Sequence, residues 1–452
     1  MHRTSRPRQQ SLGIRTAAIA ALLVLVQILA LSCSRSLTAT TAPLASHARA
    51  TGAPNAIGTL PDDPVEGEVV ITLADGVDVS ELAASYSASV VSQVSDAHAV
   101  ALLPAAGQTV ADLQQQLSLD TRVVSAEPNG WLETAEARQQ SFAFDDGFGS
   151  PSAVAGQPAV AAVHLDQAHV AATGRGVTVA ILDTGIDPNH PDLRGAYAGG
   201  VDFVAGDLDP TEEREQRDDD LDGHVDEAFG HGTHVAGIIH LVAPDARLLA
   251  VRVLDSDGRG SLLDVVAGVR WAMEHGAKVI NLSLGSLTKS DALQRTLEDA
   301  RSAGVAVVVA AGNWGDDKPV EFPAASRHVA AIGAVDATDR PAEFSSFGDN
   351  VALAAPGVAV RSTYPGGEYR LWSGTSMSAP FVAGTCALLA ETHPDWSIDQ
   401  MLARIGAAAA PVREPDGVKF GAGVLDIGAA LAPDVRPRAD EEPVPEVLRQ
   451  RR

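Results

Sequence analysis

The chain of 452 residues has only two cysteines, Cys33 and Cys386. Two cannot build the disulfide framework that staples small secreted domains, and Cys386 lies in an apolar stretch where a thiol acts as a small hydrophobe. Basic residues are in the minority: 33 lysines and arginines stand against 58 acids, a net charge of −25. Such a field repels polyanions, which excludes nucleic acid as a partner and favours solubility and cation binding. No internal repeat is evident, and the His-Glu-x-x-His signature of zinc hydrolases is missing. What is present is a hydrophobic content of 45%, enough at this length for a large core and more than one domain.

The N-terminus places Arg3, Arg6, Arg8 and Arg15 before an apolar run from Ala17 to Ser32. A positive flank and a short apolar core read as an export signal. The run is borderline for a spanning helix, which needs roughly 20 apolar residues. Cys33 follows the core directly and resembles the lipidated cysteine of bacterial lipoproteins, although Ala30-Leu31-Ser32 departs from the usual Leu-Ala-Gly context. Lipidation, ordinary cleavage and an uncleaved membrane anchor all stay open for residues 1–35. Residues 36–58, rich in Ala, Thr and Ser, read as a linker.

From 59 to 133 the pattern is that of a small α+β unit. Val69 to Leu73 reads as a strand, Val79 to Tyr86 as a helix, Val90 to Leu103 as one or two strands, Thr109 to Leu117 as a helix and Val123 to Glu127 as a strand. That β-α-β-β-α-β order is the ferredoxin-like arrangement. Residues 134–158 read as a second linker. Over 159–432 apolar β-branched runs alternate with helical stretches, which predicts an α/β domain with a doubly wound, mainly parallel sheet. The tail 433–452, rich in Pro, Arg and Glu, reads as disordered.

Three segments of that domain carry chemistry. Val177 to Leu182 is a buried-strand run, and Asp183 falls where it ends, the place where open α/β sheets put their reactive groups. His231-Gly232-Thr233-His234 opens a helix. Ser376 lies in Gly374-Thr375-Ser376-Met377-Ser378-Ala379-Pro380, ahead of an apolar helical run. A serine at a helix start has free N–H groups and a positive dipole end beside it. His231 and His234 could instead form a metal pair, but no third ligand motif accompanies them.

The three segments resemble the signature blocks of the subtilases, the subtilisin-like serine peptidases, in the same chain order of Asp, His and Ser. Two more blocks agree: Val307 to Ala311 followed by Gly312-Asn313, and Asn281-Leu282-Ser283-Leu284-Gly285. The resemblance implies a nucleophile, Ser376, whose proton passes to His231, while Asp183 orients the imidazole and stabilises its cation. Asn313 would donate to the oxyanion. Ser283, Leu284 and Gly285, with the segment around Gly260, would pair with an extended protein or peptide substrate. Gly312 would line the pocket before the cut bond and Glu321 its floor, where an acid favours Lys or Arg. Residues 59–133 would be the inhibitory propeptide of a self-processing proenzyme. The other readings are a non-catalytic peptide-binding scaffold of the same fold, and an esterase or amidase using the same residues.

Asp218-Asp219-Asp220-Leu221-Asp222-Gly223-His224-Val225-Asp226 is dense in oxygen ligands. Asp218, Asp220 and Asp222 recur at every second position, as at the start of an EF-hand loop, but Phe229 stands where that motif needs Glu. A structural calcium held by Asp218, Asp220, Asp222 and Asp226 is expected, with a solvated acidic loop as the alternative.

Overall fold

The computed structural model describes residues 65, 67–138, 141–218, 222–315, 320–413 and 420–433. The export segment, Cys33, the linker 36–58, Asp220 and nearly all of the tail lie outside the described residues.

The N-terminal unit runs through strand Val69–Leu73, helix Val79–Ser85, strands Ser89–Val94 and Ala99–Leu103, helix Val110–Leu117 and strand Val123–Pro128. Asp78 and Thr109 cap the two helices, and Thr109 with Asp112 forms a reciprocal capping box. In space the strands lie in the order Ser89–Val94, Ala99–Leu103, Val69–Leu73, Val123–Pro128, every pair antiparallel. Alternation along the first strand gives the sheet two buried faces. Val69 and Ile71 pack under the unit's own helices with Leu82, Leu113 and Leu117. Val70, with Ala99 and Ala101, packs into a core shared with helices Leu262–Glu274 and Asp291–Ser302 of the following domain.

That domain is built on seven parallel strands. Their order is Val351–Pro356, Ala330–Val335, Ala306–Ala310, Val279–Leu282, Thr178–Asp183, Arg247–Arg252, Tyr197–Asp202. Burial on both faces accounts for the unbroken apolar runs. Val179 and Ile181 face the core of helices His231–Val242 and Thr375–Thr392. Ala180 and Leu182 face the opposite core. After Thr178–Asp183 the chain fills one side of the sheet, then crosses to Val279–Leu282 on the other. Asp183 therefore ends a strand at a topological switch point, where crevices open in such sheets.

The segment expected as a linker, 134–158, carries structure of its own. Just before it, Trp131–Glu133 forms a strand antiparallel to Arg259–Ser261; within it, Ala135–Arg138 and Pro151–Ala155 are short helices. Further on, Phe144 bridges Leu371, and Asp146 pairs with Arg361. Its composition lacks any periodicity; its order comes from docking on the larger domain.

Candidate active site

Two helix starts and one strand end meet at the switch point. The helix His231–Val242 opens on Gly230, whose φ of 91° is left-handed. A Cβ there would lie 2.2 Å from the Tyr364 ring, so only glycine satisfies both the backbone and the space. This turn buries His231 completely and aims its Nδ1–H at Asp183, which accepts at 2.7 Å. The Trp372 ring stands edge-on to the imidazole at 5.2 Å. Ser376 is the second residue of helix Thr375–Thr392 and is likewise buried.

Asn313 follows the strand Ala306–Ala310, and its orientation is fixed. Its Oδ1 accepts from the Thr375 N–H at 3.0 Å and the Thr375 hydroxyl at 2.9 Å. The amide nitrogen must then face the other way and donate alongside the Ser376 N–H. These two donors converge on one oxygen, Glu136 Oε1, at 3.0 and 3.3 Å. The other oxygen, Oε2, accepts the Ser376 hydroxyl at 2.5 Å and lies 3.4 Å from His231 Nε2. A carboxylate thus occupies the place where a reacting carbonyl and its oxyanion would sit. A Cβ on Gly374 would fall 1.7 Å from Glu136 Oε1, so that residue leaves the cradle open.

The charges inside this buried group are settled by pairing. Burial alone would depress the His231 pKa, but the Asp183 and Glu136 carboxylates raise it to about 10. Burial alone would raise Glu136, yet the His231 cation and the Ser376 and Asn313 hydrogen bonds hold it below the ordinary glutamate value. His234 behaves differently. Burial pushes it down to about 3, and its Nε2–H donates to the Arg370 carbonyl at 3.1 Å. It is a packed neutral histidine, not half of a metal pair.

Glu212, absent from the sequence reading, joins the strand end to the helix start. One carboxylate oxygen accepts from the Thr184 hydroxyl and from the Gly230 N–H at 3.0 Å. The other accepts from the Thr233 hydroxyl and, at 3.3 Å, from the Thr233 N–H. Burial, with Asp183 nearby, lifts its pKa to about 7.

The cleft edges expected from sequence hold a peptide, and it is the chain's own. Leu132 pairs with Gly260. Glu133 and Gly285 exchange both backbone hydrogen bonds at 2.9 and 2.8 Å, and the Thr134 N–H donates to the Gly258 carbonyl at 3.0 Å. Leu284 is buried beside this edge. Ser283 differs from expectation in that its hydroxyl supports the nucleophile's backbone, donating to the Ser376 carbonyl at 3.2 Å. Glu321 is buried next to Gly285 and Gly312: a Cβ on Gly285 would lie 2.3 Å from Glu321 Oε2, and one on Gly312 3.3 Å from its carboxyl carbon. The Trp314 indole N–H donates to Glu321 Oε1 at 2.5 Å.

Two residues just before this strand dock the N-terminal unit. Glu127 accepts from the Ser290 hydroxyl and from the N–H groups of Asp291 and Ala292. Asn129 Oδ1 accepts from the Leu263 N–H at 3.2 Å. Both cap helix N-termini of the other domain.

Among the described residues, Asp218, Asp222 and Asp226 are not gathered into one site. Asp218 accepts from the N–H groups of Asp222 and Gly223, both at 3.1 Å. Asp226 is buried and accepts from Glu215 and Gln216 N–H at 2.8 and 3.0 Å. Among the described residues no three His, Cys, Asp or Glu side chains group to hold a metal. No helix among them is long and apolar enough to cross a membrane.

Ser376 and His231 stand on helix starts and Asp183 on a strand end, in the chain order Asp, His, Ser of subtilisin. The chain belongs to the subtilase family, whose sequence profile matches residues 174–424, and the fervidolysin N-terminal prodomain profile matches residues 55–129. It is 38% identical over 270 residues to subtilisin NAT of Bacillus subtilis subsp. natto, a match covering 57% of this chain and 66% of that protein. The corresponding match to a subtilisin of Bacillus pumilus is also 38% over 270 residues and covers 92% of the relative. Among solved structures it is similar to fervidolysin from Fervidobacterium pennivorans, a keratinolytic enzyme related to subtilisin, with a TM-score of 0.69 and 25% identity. That likeness covers 81% of this chain and 61% of fervidolysin.

Proposed function

We propose that this chain is the exported proenzyme of a serine endopeptidase that cuts extended protein substrates and processes itself. One observation carries the reading: the Asn313 amide and the Ser376 N–H converge on a single oxygen at 3.0 and 3.3 Å, beside a serine and a histidine held by Asp183 at 2.7 Å. Ser376 Oγ attacks the scissile carbonyl and His231 Nε2 takes its proton. Asp183 stabilises the imidazolium, and the two donors bind the oxyanion. Collapse releases the amine with the proton from His231, and water attacks the acyl-enzyme by the same route. A scaffold that only bound peptides would have no use for all four groups.

The N-terminal unit is the intramolecular inhibitor. Its strand Trp131–Glu133 takes the substrate edge, and Glu136 fills the oxyanion position, so the uncut chain is latent. Glu321 makes the pocket beside Gly285 and Gly312 acidic and favours Lys or Arg before the cut bond. Paired Arg and Leu peptides test this, and equal rates would sink it. Residues 1–35 direct export, and Cys33 is the candidate for attachment to a membrane. The loop bearing Asp218, Asp220, Asp222 and Asp226 is the candidate for calcium.

The deciding experiment is mass spectrometry of wild-type and Ser376→Ala protein incubated with a fluorophosphonate probe and calcium. Labelling at Ser376 with loss of the N-terminal unit, both missing in the variant, is the expected result. Absence of label and cleavage in a wild-type chain whose N-terminal unit another protease has removed would overturn it.

A further inference from the structure

We propose that Arg259 makes the cleft select an acidic residue at the substrate position that pairs with Gly285. The inference rests on the proteolytic reading above and deepens it. Residues Trp131 to Thr134 act as a built-in occupant that reports how the cleft reads side chains. Glu133 holds the position in question, bonded through its backbone to Gly285. In the antiparallel register it stands opposite Arg259, and its Oε1 lies 3.0 Å from Arg259 Nε.

Three features make this more than a passing surface contact. The two side chains are only 13% and 9% exposed, so the pair is screened far less than an open ion pair. The guanidinium also lies over the Trp131 ring, 4.6 Å from its centroid, which limits where the cation can swing. Its backbone is fixed as well: the Arg259 N–H donates to Asp255 Oδ1 at 2.8 Å, and its carbonyl accepts from the Asp255 N–H at 2.8 Å. The cation is thus displayed from a closed turn, and little ordering remains to be done when a substrate binds.

Main-chain pairing along an edge strand is indifferent to sequence, so any extended peptide adopts the register of Trp131 to Thr134. Its side chain opposite Arg259 then meets that cation. A glutamate gains an ion pair, whereas a lysine brings a like charge into a mostly buried contact. The cleft would read two signs at once, positive before the cut bond near Glu321 and negative near Arg259.

The test uses matured enzyme, with active sites counted by fluorophosphonate titration. The substrates are three p-nitroanilides, Trp-Leu-X-Thr-Ala, with X as Glu, Gln or Lys. Wild type is expected to rank them Glu, Gln, Lys, with kcat/KM for Glu about tenfold above Lys. In R259E the order should invert. R259Q, the milder change should R259E fail to mature, should bring the three within about twofold. Equal rates in wild type, or a Glu preference that survives in both variants, overturns the proposal. A wild-type enzyme that labels at Ser376 and cleaves other peptides while treating X indifferently overturns it alone. One that neither labels nor cleaves overturns the proteolytic reading with it.

Discussion

Glu136 Oε2 accepts the Ser376 hydroxyl at 2.5 Å across 240 residues of sequence. The Ser376 hydroxyl proton is thereby committed to a carboxylate, and His231 faces the same oxygen. Removing the negative charge should loosen this plug while keeping its shape. We expect Glu136→Gln to raise fluorophosphonate labelling of Ser376 in the uncut chain by about tenfold, the effect of losing roughly 1.4 kcal/mol of charge-assisted bonding. An unchanged labelling rate would show that the strand Trp131–Glu133 alone enforces latency.

The plug should also depend on pH. Glu136 is held below its ordinary pKa, so its contribution is present above the usual glutamate range and lost as pH falls through the depressed value. His231 is raised to about 10, so its contribution is full below the usual histidine value and fades as pH climbs toward 10. The contact is therefore strongest between about pH 4.5 and 6.5. The ratio of labelling rates of Glu136→Gln to wild type, measured from pH 4 upward, should peak in that window and shrink on the alkaline side. A flat ratio would contradict it.

Asn313→Ala removes one of the two donors proposed to bind the oxyanion and frees the Thr375 groups that orient it. Turnover of peptide substrates by the matured enzyme should fall about 100- to 1,000-fold with KM little changed. A proportional rise in KM with kcat intact would place Asn313 in substrate binding instead.

Glu212 accepts the hydroxyl protons of both Thr184 and Thr233. A glutamine amide presents a donor to one of those hydroxyls. If that hydroxyl is Thr184, its proton turns to Asp183 Oδ1, 3.4 Å away, and weakens the acceptor that His231 needs. Glu212→Gln should lower kcat about tenfold or more at constant KM, per titrated active site. Thr184→Val, which loses the hydroxyl at nearly the same volume, should do the same. Undiminished kcat in both would make the Glu212 network purely structural.

Calcium binding at the acidic loop has a direct thermal readout. Asp218 and Asp222 are the carboxylates there to neutralise, since Asp226 is engaged with the Glu215 and Gln216 amides. Millimolar calcium should raise the melting temperature over EDTA in wild type, and Asp218→Asn with Asp222→Asn should abolish the rise. An identical shift in the double variant would locate the ion elsewhere, and no shift in wild type would leave a solvated loop.

Much of this was legible in the sequence because it is local. Val177 to Leu182 declares a strand buried on both faces, and the helix read over Thr109 to Leu117 is found as Val110–Leu117. Asp183, His231, Asn313 and Ser376 each sit in a short block, and it is the blocks together, in chain order, that resemble the subtilase signatures. Glu136 is not of that kind. Nothing in Thr134-Ala135-Glu136-Ala137 marks an acid that will be fully buried among catalytic groups. Glu212 stands beside Glu213, and charge pattern alone cannot say which of two neighbouring acids turns inward; the structure buries Glu212 and leaves Glu213 exposed. Asp226 shows the converse, an acid counted with a loop of ligands that became a staple for backbone amides. In each case the deciding quantity is burial, which belongs to the tertiary arrangement and not to the segment.

Glu127 and Asn129 lend their oxygens to helices that begin at Asp291 and Leu262, and each helix also owns a serine, Ser290 or Ser261, for a further N–H. The ends are thus finished in two layers, one permanent and one on loan. While the N-terminal unit is attached, the two helices have a template that fixes where each first turn starts. On the proposed processing, the N–H groups that those oxygens hold pass to water and the apolar patch under Val70, Ala99 and Ala101 opens. On that proposal, the processed domain would keep a shape it was helped to find, and a chain unfolded after processing would have to search for those first turns without the mould.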